Sequence, residues 1–95
     1  MNLVTIPVKA RENARAAIAA NYLKKDKCAT GVGKKRAEQI VADEFLTLAT
    51  AKRTFSYLSR ARVYNTGDWM KCGTISYNLW GGEAMYLHLK KIFKR

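Results

Sequence analysis

Acidic residues, cysteine, proline and long apolar runs are all scarce in this chain, and each shortage excludes a class of protein. Seven Asp and Glu stand against 18 Lys and Arg, a net charge of +11 and a pI near 10. Fold stability does not require that imbalance, and self-repulsion slightly penalises it, so a polyanionic partner is the first expectation. Two cysteines, Cys28 and Cys72, are too few for a disulfide-dense secreted scaffold, and no CxxC or CxxH pair is present. Reduced thiols are the expected state. No apolar run approaches the ~20 residues that span a bilayer. The start, MNLVTIPVKARENARAAIAANY, has no basic segment ahead of an apolar one, so the chain reads as soluble and cytoplasmic, with no membrane partner. Neither an internal repeat nor a low-complexity segment is found.

What is present is enough for one core. Of 95 residues, 48% are hydrophobic and 11% aromatic, too apolar for a disordered tail. That length suits a single domain. Residues 1–6 read as a β-prone N-terminal arm, and residues 7–95 as one helical domain. Pro7 is well placed as a first helical residue, where its missing N–H costs nothing. The Ala-rich segment after it predicts a helix to about Lys25, with Ala14, Ile18, Tyr22 and Leu23 as its apolar stripe. Charges and glycines then force a turn, and Ala37, Ile40 and Val41 place a second helix from Lys34 to about Glu44.

Thr47 is a candidate N-cap for a third helix, LATAKRTFSYLSRA, although Thr50 stands where a capping box wants Glu or Gln. At 100° per residue Leu48, Ala51, Phe55 and Leu58 share one side, and Lys52, Arg53, Ser56, Ser59 and Arg60 the other. RVYNTGDWMKCG reads as a long loop. TISYNLW is ambiguous by pattern and is assigned to helix by its context. A last helix spans about Glu83 to Phe93, with Ala84, Met85, His88, Leu89 and Ile92 inward and Lys90, Lys91, Lys94 and Arg95 near its C-terminal end. The expected fold is therefore all-α, a small bundle of four to five helices.

The sharpest local signal is TGVGKKRAEQIV, residues 30–41. Gly31 and Gly33 flank Val32 and a helix follows at once. This resembles the hairpin of helix-hairpin-helix DNA-binding motifs, and the resemblance implies that Gly31, Val32 and Gly33 present backbone N–H groups to a phosphate. The residues support an anion site on their own account, because a helix's first turn leaves N–H groups unpaired and carries partial positive charge. Lys34, Lys35 and Arg36 in that turn oppose the dipole at roughly 0.3–1 kcal/mol each. They are poorly placed for stability and well placed for a phosphate. Asp26, Ala29 and Thr30 depart from the motif. A nucleotide phosphate loop is excluded by Cys28 where Gly is needed and by Lys35 where Ser or Thr is needed.

The segments KRTFSYLSRA and GTISYNLWGG, within about residues 10–93, resemble a small domain encoded in bacteriophage and prophage genomes, often near capsid or packaging genes. Thr47 and Ala49 stand where similar sequences tend to have Ser and Glu. The resemblance implies a phage-like origin, and with it a place in the infected host cell or the virion.

The cationic face formed by Lys52, Arg53, Ser56 and Arg60 suits a helix lying against nucleic acid, with Arg and Lys for phosphates or guanine edges. Tyr64, Trp69, Tyr77 and Trp80 are candidates to stack on unpaired bases, but read mainly as core or loop anchors, with Trp80 a packing plug before Gly81-Gly82. His88 reads as a core-edge histidine. Cys28, Cys72 and His88 come from separate segments and make a weak zinc set, so no metal or cofactor is expected. Asp43 and Glu44 point different ways on a helix and Asp68 is apart from them, which leaves two-metal nuclease chemistry without ligands. With no nucleophile and base pair in view, the chain reads as a non-enzymatic nucleic-acid-binding protein, DNA favoured over RNA. The competing reading is a phage interaction module that meets a host or phage protein partner.

Overall fold

A computed structural model describes residues 3–24, 28 and 31–93. It is an all-α bundle with one short ribbon. In order come β1 (Leu3–Thr5), α1 (Val8–Leu23), α2 (Gly31–Ala42), β2 (Phe45–Thr47), α3 (Leu48–Ala61), a 3₁₀ turn (Arg62–Tyr64), α4 (Cys72–Leu79) and α5 (Gly82–Phe93). Residues 25–27, 29, 30, 94 and 95 lie outside the described residues, and with them the expected end of the first helix at Lys25 and the terminal cations Lys94 and Arg95.

The N-terminal arm pairs antiparallel with β2, Val4 opposite Leu46, and alternation puts both of those side chains into the core while Leu3, Thr5, Phe45 and Thr47 face out. The Ile6 N–H extends the ladder to the Glu44 carbonyl at 3.2 Å. Pro7 is the N-cap of α1 rather than its first residue, with an extended ψ of 146°.

α4 is the element around which the bundle closes. Thr74, Ile75, Tyr77, Asn78 and Leu79 are all buried, so this helix is covered on nearly every side. Its β-branched residues do not prevent the helix because packing outweighs propensity there. α1 packs against α2, α4 and α5. Its buried stripe is Ala10, Ala14, Ala17 and Asn21, whereas Tyr22 and Leu23, expected inside, are 78% and 83% exposed. Small side chains let the helices approach closely, and that contact settles which face of an Ala-rich helix goes inward. Arg11 on α1 then donates to the Asp43 carbonyl at 2.6 Å and the Ile40 carbonyl at 3.3 Å, satisfying carbonyls at the C-terminal end of α2.

α2 begins at Gly31, three residues before the expected start at Lys34, and ends at Ala42. Gly31 and Gly33 therefore sit in the first helical turn. In α5, Met85 and Leu89 are buried as expected; His88 is half-buried with Nε2 3.4 Å from the Thr5 hydroxyl, and Ile92 is exposed.

The expected reduced thiols are not found: Cys28 and Cys72 form a disulfide across 44 residues of sequence. Its basis is tertiary. The α1–α2 connection carries Cys28 past the N-terminus of α4, and the Cys28 N–H donates to the buried Asn21 side chain at 2.9 Å. A second tie nearby runs from the Lys24 ammonium to the Met70 carbonyl at 2.9 Å.

Gly81 and Gly82 make the α4–α5 junction with φ of 105° and 65°, a conformation that side chains resist. A Cβ on Gly82 would also collide with the side chains of Asn78 and Asn13. Gly82→Ala is expected to lower stability by about 1–3 kcal/mol, or on the order of 10 °C in Tm, read by circular-dichroism melting. An unchanged Tm would contradict this geometry.

A further network fastens the 3₁₀ turn to α5. The Arg62 guanidinium donates to both Glu83 carboxylate oxygens, at 3.1 and 2.7 Å, and the Tyr77 hydroxyl donates to Glu83 Oε1 at 2.7 Å. The Arg62 hydrogen bonds hold the Glu83 carboxyl below its ordinary value, while burial pushes the Tyr77 phenol up. A carboxyl with a depressed folded pKa contributes stability above its unfolded value, about 4.3, and loses it as pH falls through the folded value. Parent Tm is therefore expected to exceed that of Glu83→Gln at neutral pH, with the gap closing below about pH 4. A gap constant down to pH 2 would contradict the assignment.

Candidate nucleic-acid interface

Three cations in one helical turn, 100° apart, cannot share a direction, and α2 spreads Lys34, Lys35 and Arg36 accordingly. Lys34 turns toward α1, beside Ile18, Tyr22 and Glu38. Lys35 points to solvent. Arg36 is half-buried and turns toward the end of α4, where its guanidinium lies 5.3 Å from the centre of the Trp80 ring and donates to Gln39 Oε1 at 2.6 Å. Of the residues ahead of them, Gly31 is exposed with open space around its Cα, Val32 is exposed and Gly33 is buried.

Trp80 joins this turn to α3. It is buried, as a packing plug should be, and stacks on Tyr57 of α3 with ring centres 4.2 Å apart and planes 16° from parallel. Burial pushes the Tyr57 phenol up. Across the same seam stands Arg53 of α3, exposed, whose charge acts on Arg36. Desolvation and then this like charge push the Arg36 guanidinium below its ordinary value. The Arg36 Nε is buried without a hydrogen-bond partner, and neither arginine is paired with a carboxylate among the described residues.

The other expected members of the α3 face form a second group. Lys52, Ser56 and Arg60 line a groove between α3 and α5 floored by Phe55, Tyr86 and Phe93. The Arg60 guanidinium donates to the Ser56 hydroxyl at 2.8 Å, which lays it along the helix. The Thr47 cap is in place, its hydroxyl accepting from the Thr50 N–H at 3.2 Å. Thr54 is a core residue that the wheel left unassigned; its hydroxyl donates to the Thr50 carbonyl at 2.8 Å, so no polar group is stranded.

The structure thus puts Arg36 within range of the Arg53 charge, and Lys52, Ser56 and Arg60 on the groove side of the same helix α3. It does not bring Lys34 to them. The aromatic members, Tyr57 and Trp80 at the seam and Phe55, Tyr86 and Phe93 in the groove, were missing from the site as read from sequence. The one local signal was the i, i+7 spacing of Tyr86 and Phe93 on α5. Tyr77 is core, and Tyr64 and Trp69 stand on the loop between α3 and α4.

Among the described residues no group of His, Cys, Asp or Glu is placed to hold a metal ion, and no helix is long and apolar enough to cross a membrane. No protein-family model, curated protein or solved structure matches the chain.

Proposed function

We propose that this chain is a non-enzymatic, phage-derived nucleic-acid-binding protein that takes DNA chiefly by its phosphates. Arg36 and Arg53 at the Trp80 seam would make the central contact, with Lys52, Ser56 and Arg60 along α3. Gly31, Val32, Lys34 and Lys35 on the exposed start of α2 would add to it, while buried Gly33 shapes the turn.

One observation carries this reading. Arg36 and Arg53 are like charges that act on one another, Arg36 is partly desolvated, and among the described residues neither is paired with an acid. Such an arrangement costs stability in the free protein and is relieved by an anion. A phosphate between the two guanidinium groups accepts charge-assisted hydrogen bonds from both. The net charge of +11 then draws the rest of the polyanion in.

Fluorescence anisotropy on a labelled duplex over a range of salt tests this. Four phosphates, one each on Arg36, Arg53, Lys52 and Arg60, give a slope of log K against log salt of about −3.6. A flat response would overturn the reading.

A second reading is favoured by a different surface. Val63, Tyr64 and Met70 on the α3–α4 loop are 77%, 67% and 74% exposed, and the Lys24–Met70 hydrogen bond holds this loop near exposed Tyr22 and Leu23. Clustered exposed apolar side chains suit a host or phage protein partner. In that case the free chain shows no salt-dependent duplex binding, so the same titration separates the two.

A further inference from the structure

The groove between α3 and α5 offers chemistry that phosphate contact leaves unused. It is open, with a volume of about 600 Å³, within the range of small-ligand sites. Along one wall α3 presents Lys52, Ser56 and Arg60; the floor and far wall are the rings of Phe55, Tyr86 and Phe93. The Phe55 ring centre is 5.8 Å from that of Tyr86 and 5.6 Å from that of Phe93, so the three make one apolar cluster. The Lys90 ammonium lies 5.9 Å from the centre of the Tyr86 ring. Among the described residues no carboxylate side chain lines the groove.

We propose that this groove holds an unpaired base of a nucleic-acid strand, with the flanking phosphates on Lys52 and Arg60. This rests on the phosphate-binding reading and adds to it a site for an unpaired base. The warrant is complementarity of two kinds. A base presents a flat π-face to aromatic rings and polar edges to the Ser56 hydroxyl, and its backbone supplies the anions that the cationic wall lacks. Paired bases are excluded from this groove because their faces are stacked inside the duplex. The groove shares α3 with Arg53, so a strand crossing that helix reaches the Arg36–Arg53 seam without leaving the basic surface.

The test compares labelled oligo(dT), oligo(U), an abasic strand of the same length and phosphate count, and a blunt duplex, all by anisotropy at fixed salt. Oligo(dT) or oligo(U) is expected to bind about tenfold more tightly than the abasic strand. Phe93→Ala, in the lining of the groove, is expected to erase that margin and leave abasic binding unchanged. Equal affinity for base-bearing and abasic strands in the parent protein, which requires no variant, would overturn the groove while sparing the phosphate reading. Failure of every strand and of the duplex to bind would remove both.

Discussion

Reducing the Cys28–Cys72 disulfide is expected to lower the stability of this protein by about 4 kcal/mol. The figure follows from loop closure: a cross-link over 44 residues removes chain entropy from the unfolded ensemble on a scale of about 3 kcal/mol for short loops to nearly 5 for long ones. A domain of this size has a total stability of only about 5–14 kcal/mol. At roughly 4–8 °C per kcal/mol, the reduced form should melt some 15–30 °C below the oxidised form. Cys28→Ser with Cys72→Ser should reproduce the loss in oxidised buffer. Melting with and without a phosphine reductant, alongside a thiol titration, checks this. Two free thiols in the purified protein and a Tm indifferent to reductant would contradict the bond. The bond departs from the reduced thiols that the cysteine count suggested.

Arg53→Gln should move affinity and stability in opposite directions. Removing one phosphate contact worth about 0.9 in the salt slope lowers duplex affinity about eightfold at 0.1 M salt, taking 1 M as the point where the electrostatic contribution vanishes. Adding Arg36→Gln brings the loss to about 60-fold at the same salt. The Arg53 change also relieves the repulsion on Arg36, so Tm should hold or rise. Residues kept for folding do not behave this way; those kept for a ligand do. A fall in Tm with unchanged affinity would mean that the seam is structural.

Some of this was legible in the sequence, for local reasons. α3 was readable because Leu48, Ala51, Phe55 and Leu58 alternate with charged residues at strict helical spacing, and its Thr47 cap is a property of the four residues around it. TISYNLW became a helix as its context suggested, with Tyr77 and Trp80 buried in line with the packing roles they suggest. The face of α1 is only partly legible because alanine carries little periodic contrast: Ala14 is buried as expected, but Ile18, Tyr22 and Leu23 outweigh Ala10 and Ala17 in the apolar pattern, whereas close helix contact decides the matter in the fold. The early start of α2 escaped notice because two glycines in a first turn look like a break. The disulfide, the Arg36–Trp80 contact and the three-ring groove join residues far apart in sequence, and no local pattern announces such partners.

The central claim is that Arg36 of α2 and Arg53 of α3, like charges that act on one another, are there to receive phosphate. Duplex anisotropy across a salt series, run on the parent and on Arg36→Gln with Arg53→Gln, tests it directly. The parent is predicted to show a slope of about −3.6 and the double variant a slope shallower by about 1.8. Identical slopes in the two proteins, or a flat line in the parent, would contradict it.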